Sequence, residues 1–349
     1  MRLFASALRT TVAIALLAGC AGNAGISNVP VPGYEGVTRV AHPISVWDDQ
    51  APPLAVQVLH ELVRPTKTEP TSGTYISEFD SGDLYGYAAN NKANKGPICT
   101  VSNVTDVNDV AVDAKGNLMI PDGGAGYLLV NKGPNMCGKS LAEIADSYGQ
   151  PSDASSPNAA TGKIALANLA DTGSAPGSLS ICTAKGGCTV NLTNGSIYHA
   201  GGVAMSNSGD CWLNAKTSAS GGDALIYFKG CKGGGTVAKG TKSTYYGGID
   251  IDNKGNLVII DDMAEVAYVY SGCNPTCKLL GGPFTLKGET FFGKLNSTNT
   301  EFTAVARTDG KVDVYSYSTK AIKYEYSFDK GLSASELPDG VAVNPRSKQ

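Results

Sequence analysis

Between Asn108 and Asp122 the chain reads NDVAVDAKGNLMIPD, and between Gly247 and Asp261 it reads GGIDIDNKGNLVIID; the two stretches align without a gap. Alternating apolar residues such as Val110 and Val112, or Ile249 and Ile251, turn one face of a strand inward. The polar D-x-K-G-N run that follows carries a glycine able to adopt a left-handed backbone, which predicts a tight turn between antiparallel strands. A second apolar run then ends on an aspartate. GGVAMSNSGDCWLNA (Gly201 to Ala215) repeats the pattern, and PDGVAVN (Pro338 to Asn344) supplies a first strand with nothing after it. Each unit continues into a third, aromatic-rich strand, as in VAYVYSG, ALIYFKG and GYLLVNKG, and then a short fourth.

Spacing decides what the units build. Gly202 to Gly248 is 46 residues, Asp109 to Gly202 is 93 and Gly248 to Gly340 is 92, so the longer gaps each hold one divergent unit. Four short antiparallel strands repeating every forty-odd residues predict an all-β fold, a β-propeller. Units starting near residues 107, 155, 200, 246 and 290 make five blades. The sixth combines three strands within residues 73–105 with the orphan strand 338–344, so the C-terminal strand closes a six-bladed ring and leaves no free inner edge.

Composition places this ring outside the cytoplasm. The sequence of 349 residues has 43 glycines, 17% charged residues and a net charge of -3. That is the profile of a turn-rich β protein, and with no basic run interleaved with aromatics it excludes nucleic acid as a partner. Arg2 and Arg9 precede a short apolar core, which is a secretory signal peptide rather than a membrane span. It ends at Leu17-Ala18-Gly19-Cys20, which resembles the bacterial lipobox; the resemblance implies lipid on Cys20, membrane attachment through it, and a place in the bacterial cell envelope. Ala21, rather than aspartate, after that cysteine points to the outer membrane where two membranes exist. The domain plan is therefore a lipoprotein signal peptide over 1–20, a proline-rich tether over 21–72 and the propeller over 73–349, with LAVQVLHELV in the tether as a short helix or an added strand.

The eight remaining cysteines suit disulfides in an oxidising compartment. Cys182 with Cys188 and Cys273 with Cys277 flank turns at hairpin spacing, Cys211 and Cys231 flank two strands of one sheet, and Cys99 with Cys137 is left by elimination. No C-x2-C pair is present and the three histidines stand apart, which argues against zinc. GPNMCGKS (Gly133 to Ser140) matches a phosphate-loop pattern and is followed by the helix-like SLAEIADSY. Such a loop needs parallel strand-helix units, whereas this chain offers hairpins, so no nucleotide partner is expected.

The strands DVAVDAKGNLMIPD and GIDIDNKGNLVIID resemble NHL-type six-bladed propellers and, more distantly, the gluconolactonase/senescence-marker family. The PDG at Pro338–Gly340 is similar to the tripeptide with which that lactonase family supplies a metal-binding aspartate, so the resemblance implies that role for Asp339.

In a propeller the loops that lead into each inner strand and out of each second strand gather on one face. Residues expected there are Asp109, Asp122, His199, Tyr246, Asp261, Asp262, Phe292 and Asp339. Asp109, Asp122, Asp261 and Asp339 are the side chains that would hold Ca²⁺, the one cofactor suggested. His199 is the one propeller side chain titrating near neutrality and is the candidate general base. With no nucleophile and fixed partner in view, the sequence reads as a binding or interaction module for a protein, glycan or small molecule at the channel face. A metal-dependent lactonase or lyase of the gluconolactonase type is the alternative.

Overall fold

A computed structural model of the protein describes residues 73–102, 104–131, 140–171 and 176–346. Residues 1–72, over which a signal peptide ending at Cys20 and a tether with LAVQVLHELV are expected, and Cys137 all lie outside the described residues. The chain builds six four-stranded antiparallel sheets arranged in a ring, each a strand meander running from the centre outward.

Blade I pairs the C-terminal strand β24 (Pro338–Asn344) with β1 (Gly73–Glu78), β2 (Leu84–Ala88) and β3 (Cys99–Val101). Blade II is β4 (Ala111–Val112), β5 (Leu118–Asp122), β6 (Tyr127–Asn131) and β7 (Ser140–Ala145), and blade III is β8 (Gly149–Ala154), β9 (Lys163–Asp171), β10 (Ser178–Thr183) and β11 (Gly187–Leu192). Blade IV is β12 (His199–Met205), β13 (Cys211–Ser218), β14 (Gly221–Phe228) and β15 (Thr236–Val237). Blade V is β16 (Ile249–Ile251), β17 (Leu257–Asp261), β18 (Val266–Ser271) and β19 (Lys278–Thr285), and blade VI is β20 (Gly293–Leu295), β21 (Glu301–Ala306), β22 (Lys311–Ser318) and β23 (Ala321–Phe328).

The predicted closure is present: β24 pairs antiparallel with β1, Tyr75 opposite Ala342 and Gly73 opposite Asn344. The D-x-K-G-N turns work through their aspartate as well as their glycine. Asp113 Oδ1 accepts the N–H groups of Lys115 and Asn117, and Asp252 Oδ1 those of Lys254 and Asn256. Gly116 and Gly255 sit at φ of 78° and 79°, where an L side chain is strained.

Hydrophobic side chains pack between neighbouring blades. Val107, Leu118 and Ile120 of blade II meet Tyr75 and Ala342 of blade I, and Leu213 and Ile226 of blade IV meet Ala165 and Leu179 of blade III. The second strands are thus covered on both faces, which is why LMIPD and LVIID are buried along their whole length and read as near-continuous apolar runs, while the outer strands are partly exposed. Two local readings are corrected. SLAEIA, helix-like in sequence, is the outer strand β7 and pairs with β6. The inner strand of blade III begins at Gly149 rather than near 155, because GQPSDA faces the channel and lacks the apolar alternation of its counterparts.

Three of the predicted disulfides are formed: Cys182–Cys188, Cys211–Cys231 and Cys273–Cys277. Cys99 is also disulfide-bonded.

Candidate functional site

Two charged clusters occupy the channel, one midway along the inner strands and one where those strands begin. The inner cluster is built on Lys294 of β20. Its Nζ lies 2.7 Å from Asp109 Oδ2 on blade II and 3.6 Å from Asp153 Oδ1 on blade III. Blade VI faces blade III across a six-membered ring, so this side chain crosses the axis and plugs the channel.

The carboxylates around Lys294 also bind backbone. Asp109 Oδ1 accepts Val341 N–H at 2.9 Å, Asp153 Oδ2 accepts Val203 N–H at 2.6 Å, and Asp250 Oδ2 accepts Leu295 N–H at 2.6 Å. Each aspartate thereby joins its inner strand to one on the neighbouring blade. Burial pushes Asp153 well above the usual carboxylate range and raises Asp250, with Lys294 opposing both shifts. Burial alone would lower the Lys294 ammonium; Asp109, Asp153 and Asp250 outweigh it and hold the group above its ordinary value. Below the plug a cavity of about 30 Å³ is lined by all six inner strands, through Val112, Ala154, Ala204, Asp250, Leu295 and Val343.

The mouth cluster sits where the inner strands of blades I, V and VI start. Arg307, just after β21, is buried, with Nε 3.0 Å from Asp339 Oδ1 and Nη1 3.7 Å from Glu289 Oε1. Tyr246 and Asp262 complete it, both buried, and neither Tyr246 Oη nor Asp262 Oδ1 has a hydrogen-bond partner among the described residues. Burial raises the pKa of each well above its usual range; for Asp262 the Arg307 guanidinium opposes the shift, and Tyr246 is raised further by Tyr245 and Asp262. Phe291 lies edge-on to the Tyr246 ring at 5.4 Å and under the Arg307 guanidinium at 6.0 Å.

The structure brings Tyr246, Asp262 and Asp339 together and disperses the other candidates. Asp122 accepts from Thr105 Oγ1 at 2.5 Å and from Ala125 N–H, while Asp261 accepts from Thr244 N–H and Oγ1 and from Ala264 N–H. Both carboxylates therefore pin loops. Phe292 is fully buried against Phe291, at 4.7 Å between rings. His199 is buried, and its Nδ1 donates to the Leu169 carbonyl at 3.0 Å, which leaves Nε2 as the basic nitrogen. Burial lowers its pKa, against that hydrogen bond, so the ring is neutral near pH 7.

The proposed calcium set does not fit as a unit. Among the described residues no three of Asp109, Asp122, Asp261 and Asp339 bring ligand oxygens within 4.8 Å of one another. The one group that does so is Asp146 with Cys182 and Cys188, whose sulfurs are spent on their disulfide.

Lys294, Arg307, Glu289, Asp153 and Asp250 were not legible as site residues. The available signal was a charged residue inside a short inner strand, as in FFGKL and GGIDI.

No known protein family matches the sequence, and no curated protein matches it. Solved structures do match, and three of them are each 11% identical and cover 78% of this chain and 98% of the other. These three are a chain of a nidogen/laminin complex (TM-score 0.54), a protein of unknown function from Bacteroides caccae (0.55) and the periplasmic gluconolactonase PpgL of Pseudomonas aeruginosa (0.51). At that identity the likeness is one of fold alone: the chain is a six-bladed β-propeller.

Proposed function

We propose that this propeller is a binding or interaction module held in the cell envelope by lipid on Cys20, recognising a protein, glycan or small molecule at the channel mouth. One observation carries the reading. The two channel carboxylates best placed to hold a metal already face cations of the chain, Asp339 with Arg307 and Asp109 with Lys294. A divalent ion at either carboxylate would have to displace a cation, the buried Arg307 or the largely buried Lys294, at a cost of several kcal/mol. Meanwhile Tyr246 Oη and Asp262 Oδ1 stay buried at the mouth without partners among the described residues, and such atoms in a folded protein call for a functional explanation. A rigid ring with unmatched polar atoms at its mouth suits recognition better than metal-assisted hydrolysis. The nidogen/laminin match shares this fold with a protein found in a complex.

The test is a thermal-shift series with Ca²⁺ and Zn²⁺, run beside a gluconolactone hydrolysis assay. The module reading expects no metal-dependent rise in Tm and no turnover. A rise abolished by Asp339→Asn, accompanied by hydrolysis, would replace it with the lactonase. The anchor is tested separately: Cys20→Ser should move the protein from the membrane to the soluble fraction.

A further inference from the structure

At the opposite end of the molecule from the mouth, on the rim where third strands turn into fourth strands, a groove of about 640 Å³ opens between blades IV and V. Its residues include Asp210, Tyr227, Lys229, Lys232, Asn274 and Pro275, with the backbone of Gly234 and Gly235. That volume lies in the range of small-molecule sites rather than of single ions.

The walls are fixed before any ligand arrives. Cys231, beside the lysines, is tied to Cys211, and Asn274 and Pro275 lie within the loop closed by Cys273–Cys277. Trp212 Nε1 donates to the Cys273 carbonyl at 2.7 Å, joining the two blades beneath the groove. Lys239 N–H donates to the Pro275 carbonyl and Cys277 N–H to the Lys239 carbonyl, which holds the two loops side by side. Asn194 Nδ2 donates to the Gly234 carbonyl from blade III. Gly235, at φ of 67°, brings its backbone against Ile226 and Phe228 where a Cβ would collide at 2.7 Å, so this wall presents backbone and no side chain.

Charge then selects the ligand. Asp210 is committed: Oδ1 accepts Gly230 N–H at 2.7 Å, and the Tyr227 hydroxyl faces the same carboxylate. Lys229 and Lys232 are exposed, and neither is in an ion pair among the described residues. The groove therefore carries two ammonium groups against one hydrogen-bonded carboxylate, a net charge of about +1, within a chain whose net charge is -3. Around them the lining is hydrogen-bonding rather than greasy: an amide at Asn274, a hydroxyl at Thr236 and bare peptide groups at the glycines.

We propose that this groove binds a phosphorylated sugar, its phosphate between Lys229 and Lys232 and its hydroxyls against Asn274, Thr236 and the glycine backbone. A soluble phosphosugar and the headgroup of an anionic lipid share the phosphate chemistry, and the test separates them.

The full chain is titrated by calorimetry with glucose 6-phosphate, with glucose and with inorganic phosphate. It is also sedimented with phosphatidylcholine vesicles with and without phosphatidylglycerol. Lys229→Gln/Lys232→Gln removes both charges from exposed positions, and Lys185→Gln/Lys254→Gln removes two others as a charge-matched control. Glucose 6-phosphate binding tighter than either glucose or phosphate, and weakened about tenfold or more in the groove variant alone, supports a soluble ligand. Sedimentation with the anionic vesicles, lost in the groove variant alone, supports the lipid headgroup. Binding to neither probe, or equal losses in both double variants, overturns the site.

Discussion

Around Lys294, the buried Asp109 and Asp153 and the half-buried Asp250 each accept a backbone N–H from an adjoining inner strand, and the ammonium supplies the countercharge. Around Arg307, the guanidinium meets Asp339 and Glu289, but Tyr246 Oη and Asp262 Oδ1 are left over. Both clusters are buried and both mix acids with one cation. In the first, Asp109 Oδ2 and Asp153 Oδ1 lack other hydrogen bonds but face the Lys294 ammonium, and the cluster joins strands. In the second, Tyr246 Oη and Asp262 Oδ1 meet neither a hydrogen bond nor an ion pair among the described residues, where the channel opens. A finished polar network rigidifies, whereas an unfinished one costs stability that only a ligand, water or chemistry can return.

Truncation gives the largest contrast. Removing residues 340–349 takes most of β24, with it the pairing to β1 and the Val341 N–H that Asp109 accepts. Blade I then loses its inner strand and the inner cluster loses a tie. The truncated chain should show no cooperative thermal transition by circular dichroism, where the intact chain shows one. A cooperative melt near the intact Tm would mean that closure contributes little.

Single substitutions sharpen the same comparison. Lys294→Met leaves Asp109, Asp153 and Asp250 facing one another without a cation, and breaking a buried pair in this way costs about 3–5 kcal/mol. Arg307→Met also strands a buried partner, Asp339, but should fall at the lower end of that range, about 3 kcal/mol, because Glu289 is partly solvated and Asp262 is already pushed toward its neutral form. Urea melts of the two variants check the order. Equal losses would make the mouth as structural as the plug.

How far the sequence reached follows from where each interaction lies along the chain. The blades were legible because their strands, turns and hairpin disulfides are local: DNKGN, CNPTC and CTAKGGC each carry their geometry within a few residues. The closing strand was legible because PDGVAVN repeats a first-strand pattern without a sequel. The clusters were not. Lys294 meets Asp109 and Asp153 from more than a hundred residues away, and in sequence FFGKL is a glycine-containing strand with one lysine. Asp339 was legible as a mouth residue through its tripeptide, but its partner Arg307 lies in AVARTDG, an ordinary strand end. Blade III's inner strand was misplaced for the same reason, since Asp153 serves the channel rather than an apolar face.

A smaller effect concerns pH on the mouth side. The loop leading to Tyr246 is held by Ser243 Oγ, which donates to Asp223 Oδ2 at 2.6 Å, and by Thr244 on Asp261. Burial pushes Asp223 up to about 6, with the Ser243 hydrogen bond opposing and Asp261 adding to the rise. Because the folded value exceeds the unfolded one of about 4, the stability this group contributes is full below about pH 4 and is lost as pH rises through about 6. Asp223→Asn stays neutral and still accepts from Ser243. Its Tm should match wild type near pH 4 and exceed it above pH 7. A gap that does not change with pH would show that Asp223 does not titrate in this range.

The smallest effect is the most discriminating. Tyr246 and Tyr270 are both fully buried, but Tyr270 Oη accepts Lys242 N–H at 2.7 Å whereas Tyr246 Oη has no partner among the described residues. Tyr270→Phe strands a backbone donor and should cost about 1–2 kcal/mol. Tyr246→Phe removes a hydroxyl that was buried for nothing in the free protein, so it should be neutral or stabilise by up to about 1 kcal/mol. Residues kept at such a cost are those that function requires, and the mouth reading needs Tyr246 to be one of them. Paired guanidinium melts measure both variants. If Tyr246→Phe costs as much as Tyr270→Phe, its hydroxyl has a partner within the folded chain or its bound water, the mouth is as finished as the plug, and the unmatched atoms no longer argue for a ligand there.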